Sequence, residues 1–158
     1  MDIKIKVGII ITNEEKRILL IKETLPKKGV PLWNIIKGTY GDRMHESIFD
    51  AAMRECREEA SVPVELIGAL GTYISEEKGK IRIQCNFCAH IKSGAPAIPK
   101  KEEQEARREM ITEVRWFTKN EIQKMSASDF VSPRTYALLL DFMAGKQYPL
   151  EIYSYTFL

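Results

Sequence analysis

The chain has 158 residues, of which 44% are hydrophobic and 29% charged. That is enough for one soluble globular domain, expected to span 1–158 and to bury about two-thirds of its unfolded surface without disulfide staples. No stretch approaches the roughly 18 apolar residues of a membrane span, and a net charge of +2 is too small to argue for nucleic acid or a lipid surface. Three cysteines without a disulfide pattern, and no apolar leader, lead to an expected cytoplasmic location.

In chain order, Ile3, Ile5, Val7, Ile9 and Ile11 repeat at period two and predict a strand, and Thr12–Glu15 reads as a turn. Arg17–Ile21 predicts a second, more buried strand. Pro26, Gly29 and Pro31 then break the chain, Trp33–Ile36 predicts a short strand, and Lys37–His45 reads as loop. Ser47–Ala60 is the clearest helix. Ser47 and Asp50 have capping-box spacing, Phe49, Ala52, Met53, Cys56 and Ala60 form an apolar stripe, and Pro63 stops it.

Strands are expected at Val64–Ile74 and Lys80–Ile91, with a turn at Glu76–Gly79. In the second, Ile81, Ile83, Cys85, Phe87, Ala89 and Ile91 share a face expected to be buried. Arg82, Gln84, Asn86, Cys88 and His90 share one expected to be wet. Lys100–Glu109 is a charged helix or loop, and Glu113–Phe117 another strand. Thr118 with Glu121 caps a short helix. Ser132, Pro133 and the Val131/Tyr136 staple open the last one, which Gly145 ends. The alternating tail Tyr148–Phe157 predicts an edge strand that could pair across a homodimer. Strands, helix, strands and then helices argue for an α/β (α+β) domain with a mixed sheet.

On the first helix Glu55, Glu58 and Glu59 fall at i, i+3 and i+4, one turn apart and beside the apolar stripe. Like charges at this spacing repel by a few tenths of a kcal/mol per pair, and they stand near the helix C-terminus, the wrong end for anions. Spacing alone leaves two readings: a solvated acidic face partly neutralised by Arg54 and Arg57, or hard oxygen ligands for a cation such as Mg²⁺.

The surroundings bear on that choice. Glu46, seven residues, then Arg54-Glu55-Cys56-Arg57-Glu58-Glu59-Ala60-Ser61-Val62 resembles the Nudix box. That box runs glycine, five residues, glutamate, seven residues, Arg-Glu-aliphatic-x-Glu-Glu-x-Gly-aliphatic, and Glu46, Arg54, Glu55, Glu58 and Glu59 keep its spacing. The opening strand, Trp33-Asn34-Ile35, Glu113–Phe117, the closing helix and Tyr148-Pro149-Leu150 are also similar to the family, over nearly the whole chain. Tyr40 stands where the box opens on glycine. Gly38 aligns with the family's Trp-x-x-Pro-Gly-Gly segment, with Ile36 and Lys37 replacing its Pro and first Gly, and Ser61 replaces the closing glycine.

The resemblance implies a Nudix-type α/β/α sandwich with a mixed, mainly antiparallel sheet. It implies Mg²⁺-dependent hydrolysis (with Mn²⁺ as a substitute) of a small-molecule nucleoside diphosphate derivative. Glu55, Glu58 and Glu59 would be metal ligands, Glu55, Arg54 and Glu46 the catalytic set, with Arg54 orienting Glu55 and Glu46 bracing the loop. A further glutamate is expected from Glu102, Glu103, Glu105 and Glu109. Lys37, Gly38, Lys22 and Arg43 are candidate phosphate contacts, and Tyr40 and Trp33 candidate base-stacking platforms, Trp33 reading more naturally as core. The other reading of the same fold is a module that binds a nucleotide or partner without turnover.

Rival constellations are weaker. Cys85-x-x-Cys88 with His90 lacks a convincing fourth zinc ligand, and its thiols lie on opposite faces of a strand where a redox pair would open a helix. The mixed charges of Lys100–Glu109 argue against a nucleic-acid patch, a capped RNA end excepted.

Overall fold

A computed structural model describes residues 1–158. Its centre is the antiparallel-rich sheet formed by β1 (Asp2–Thr12), β2 (Ile18–Thr24), β3 (Pro31–Asn34), β4 (Ile36–Tyr40), β5 (Val64–Ala69), β6 (Tyr73–Glu77), β7 (Lys80–Ile91) and β8 (Ile111–Phe117). Only β1 and β7 run parallel, in register from Asp2 beside Lys80 to Thr12 beside His90. The uninterrupted apolar runs Ile9–Ile11 and Ile18–Ile21 are buried throughout, as strands covered on both faces require.

Two apolar layers sandwich this sheet. Val7, Ile9, Leu19 and Phe87 meet Ala51, Ala52 and Cys56 of helix α1 (Ile48–Ala60) on one side. Ile10, Leu20, Ile35 and Phe117 meet Ile122 of α3 (Lys119–Gln123) and Leu138 and Leu139 of α4 (Pro133–Met143) on the other. The small α1 residues let that helix sit close to β1. The expected α/β/α sandwich with a mixed, mainly antiparallel sheet is what the chain forms. No helix is long and apolar enough to cross a membrane.

Four local expectations are revised, and one open choice, between helix and loop, is decided. Lys37–His45 is not all loop, because β4 pairs with β1 from Ile36 beside Ile9 to Tyr40 beside Ile5, satisfying backbone groups on an otherwise open edge. Val64–Ile74 is two strands, since the long β7 serves β5 with one stretch and β6 with another. The expected wet face of β7 is wet only at its ends, Arg82 and His90, and covered in its middle: Asn86 and Cys88 are fully buried, Cys88 among the residues under α4, so neither thiol of the Cys85/Cys88 pair is exposed. Lys101–Arg107 is helical (α2), capped by Arg108 in the left-handed region. The tail forms no edge strand. It makes one bridge, Tyr148 to Ala69, and then inserts Tyr153 between Phe49 and Phe87, because its aromatics gain more from that pocket than from solvent pairing. It therefore supplies no strand edge for a dimer.

The strand pairing leaves an opening that matters for the site. β1 meets β2 only at Thr12 and Ile18, and β4 pairs with β1 alone. The sheet parts beyond that point, and the free edge of β4 faces the cleft.

Candidate active site

Helix α1 is fixed at both ends before its acidic face is set. Ser47 Oγ accepts from the Asp50 amide, and the Asp50 carboxylate accepts from the Ser47 amide. At the other end Ser61 adopts φ 60°, ψ 29°, the left-handed conformation in which a helix usually carries glycine. With Ala52 and Cys56 turned into the core, Glu55, Glu58 and Glu59 are left along the border facing β4.

Arg54 organises that border. Its Nε and Nη2 donate to Glu46 Oε2 and Oε1 at 2.7 and 3.0 Å, a bidentate pair between the loop and the helix. Its Nη1 donates to Glu55 Oε1 at 2.7 Å and Glu58 Oε2 at 3.2 Å, and Nη2 also reaches the Thr39 carbonyl. Arg43 Nη2 donates to the other Glu58 oxygen at 2.9 Å. The Lys37 amide donates from the β4 edge to Glu59 Oε1 at 2.7 Å. Gly38 is where the strand meets the helix: a Cβ there would lie 1.9 Å from Glu55 Cδ. Only a residue without a side chain leaves room for that carboxylate.

These groups line a cavity of about 680 Å³. Arg54, Glu55 and Glu59 are 7%, 6% and 4% exposed, so charge inside it is expensive. Burial raises Glu55 to about 7 against the lowering influence of Arg54. Burial raises Glu59 well above the ordinary range, reinforced by Glu23. Glu109 is raised by burial against its bond to Arg107. Cations respond oppositely. Burial, with Arg134 nearby, lowers Lys37 to about 8, and burial with Lys4 lowers Lys6. Arg54 is held still more firmly protonated by Glu46.

The cavity brings together Lys37, Gly38, Arg43, Arg54, Glu55, Glu58 and Glu59. Glu46 reaches it through Arg54 and does not line it. Lys22 does not line it either: its ammonium lies 5.2 Å from the Trp33 ring centroid. Of the four acidic candidates beyond the helix, Glu109 alone is on the wall. Arg107, which also donates to the Glu58 carbonyl at 2.8 Å, donates to its Oε1, and its buried Oε2 has no partner. Trp33 packs edge-on to Phe117 and Tyr40 is engaged with Tyr155. Neither lines the cavity, and no other aromatic does.

Sequence reasoning missed Glu23, Asn34, Lys6 and Arg82 on the wall. Glu23 Oε1 accepts from Asn34 Nδ2 at 3.0 Å, and Asn34 Oδ1 accepts from the Thr135 hydroxyl. A charge within an apolar strand, at Glu23, was the one available signal.

The donor set fits a hard divalent cation. Glu55, Glu58, Glu59 and Glu109 offer carboxylate oxygens into one cavity, one buried oxygen of Glu109 is unpartnered, and the Gly38 hollow is shaped around Glu55. As the side chains stand, no three of them converge on one point, because the Arg54 guanidinium lies between Glu55 and Glu58.

Residues 2–139 match the family model described as the NUDIX domain. A search of curated proteins finds no significant match. Among solved structures, a NUDIX hydrolase from Nitrosomonas europaea is 24% identical, with 97% of each chain covered and a TM-score of 0.77. The ORF135 protein of E. coli is 21% identical over 91% of each chain, at a TM-score of 0.67. The NUDIX domain of Shewanella oneidensis NrtR, complexed with ADP ribose, is 15% identical over 92% of this chain and 88% of that one, at 0.64. These likenesses are of fold.

Proposed function

The chain belongs to the Nudix family and is a pyrophosphohydrolase, and from that premise we propose that it uses Mg²⁺, or Mn²⁺ in its place, to split the diphosphate of a small nucleoside diphosphate derivative in the cytoplasm. One observation carries the reading: six carboxylates, three of them from one helix face, line a single cavity around the Gly38 hollow. Glu55, Glu58, Glu59 and Glu109 would hold the cation, which when bound neutralises charge on the diphosphate and lowers the pKa of a coordinated water.

The chain's own groups do the rest. Arg43 binds diphosphate oxygens, and the amides about Gly38 let the chain approach them closely. Arg54, clamped by Glu46, fixes Glu55 by its Oε1. That leaves Oε2 to take a proton from the attacking water. The water attacks one phosphorus in line and the other phosphate leaves. Three free, buried cysteines suit a reducing compartment.

The test is a panel of nucleoside triphosphates, dinucleoside polyphosphates, nucleotide sugars, ADP-ribose and capped RNA with Mg²⁺, scored for phosphate or nucleoside monophosphate release, with Glu58→Gln as control. Cation-dependent turnover that falls at least a hundredfold in the variant is expected. Turnover unaffected by Glu58→Gln refutes the mechanism, and cation-dependent nucleotide binding without any turnover supports the binding module instead.

A further inference from the structure

Four cations on the cavity wall, Lys6, Lys37, Arg82 and Arg108, have no salt-bridge partner, and the first three lie together on or beside β4. Alternation along β4 turns Gly38 toward Glu55, while Lys37 and Thr39 point to the opposite face. On that face the register sets Lys6 beside Thr39 and Gly8 beside Lys37, with Lys4 and Arg82 neighbours across β1 and β7. Lys6 Nζ donates to Thr39 Oγ1 at 2.6 Å. Lys6, Lys37 and Arg82 all line the cavity, and none has a carboxylate within salt-bridge distance. By contrast Arg43, Arg54 and Arg107 are each paired with a glutamate.

Gly8 deepens this region. A Cβ there would meet Asn86 Oδ1 at 2.3 Å and Gln84 Nε2 at 3.0 Å, so the missing side chain opens a hollow floored by amides next to Lys37. Three neighbouring cations, Lys6 and Lys37 half-buried and Arg82 exposed, that no carboxylate engages in a salt bridge contribute little to the fold itself. They are what an anion of high charge needs. The absence of any aromatic on the walls removes stacking as the main means of recognising a base.

Resting on the pyrophosphohydrolase reading, we propose that Lys6, Lys37 and Arg82 form a distal phosphate subsite across the free edge of β4, so that the preferred substrates carry a third phosphate beyond the scissile pair. Such a substrate straddles β4, its cleaved anhydride on the Gly38 side and its extra phosphate on the Lys37 side.

The test is calorimetric binding of inorganic pyrophosphate and inorganic tripolyphosphate to the cation-free protein. Wild type is expected to bind tripolyphosphate at least tenfold more tightly than pyrophosphate. Lys6→Met with Arg82→Gln should abolish that preference and leave pyrophosphate affinity within about twofold. Arg82→Gln alone, at an exposed position, should remove part of it. Lys119→Met with Lys124→Gln, an equal change of net charge at the two ends of α3, should leave it intact. Equal affinities in wild type, or a preference that survives Lys6→Met/Arg82→Gln, overturns the subsite. Because turnover is not the readout, the subsite stands or falls separately from hydrolysis: a preference without turnover on any substrate refutes only the enzyme reading, and turnover without the preference refutes only the subsite.

Discussion

Replacing Glu55 by glutamine should stabilise the cation-free protein while destroying its activity. In the fold, burial lifts this carboxyl from 4.5 to about 7, so at pH 8 its ionisation is less favourable than in the unfolded chain. At 1.36 kcal/mol per pH unit that is a cost of about 3 kcal/mol. The sign follows from linkage. A carboxyl raised in the fold contributes stability that is fully present below 4.5 and is lost as pH rises through about 7. Glutamine stays neutral and can still accept from Arg54 through its Oε1. Thermal unfolding at pH 8 in EDTA should therefore place Glu55→Gln roughly 6–12 °C above wild type, at about 2–4 °C per kcal/mol for this size, and the gap should close toward pH 4.5. Added Mg²⁺ should raise wild type and leave the variant nearly unchanged. A variant equal to or less stable than wild type at pH 8 without cation, or a gap independent of pH, refutes the reasoning.

Gly38→Ala should cut turnover at least a hundredfold with helical content retained, because its Cβ would take the place of Glu55 Cδ; near-normal kcat by steady-state assay would contradict this. Among glutamines at 102, 103, 105 and 109, only Glu109→Gln should lower kcat, by tenfold or more, since it alone lines the cavity. Ser61→Gly should raise thermal stability, by up to about 1 kcal/mol, by relieving the left-handed strain at φ 60°; a loss of stability on chemical denaturation would show that the serine is not strained.

The sequence made the acidic helix legible because its signals are local. Ser47, Asp50, the apolar stripe and the i, i+3, i+4 glutamates all act within a few turns. The opening strand was legible for the same reason, its period-two pattern needing no partner to be seen. What the chain did not disclose depends on contacts between distant segments. β4 was missed because Ile36–Tyr40 has no apolar run of its own and is a strand only beside β1. The wet face assigned to β7 holds at Arg82 and His90 but ignored α4, which covers Cys88 from some 50 residues away in sequence. Lys22 was placed near phosphate by proximity in sequence, but strand alternation turns it to Trp33 while Glu23, the next residue, faces the cavity. Glu109 could not be separated from its neighbours by spacing. The left-handed turn at Arg108, after one short helix, decides which of four similar carboxylates reaches the wall.

The central claim is that the carboxylates of α1 bind a divalent cation inside this cavity, and Mn²⁺ affinity measured by electron paramagnetic resonance in wild type and Glu59→Gln tests it most directly. The glutamine keeps the acceptor for the Lys37 amide and removes only charge and one ligand oxygen. A loss of affinity of tenfold or more, with the fold unchanged by circular dichroism, is the predicted result; equal affinity in the two proteins would contradict the account.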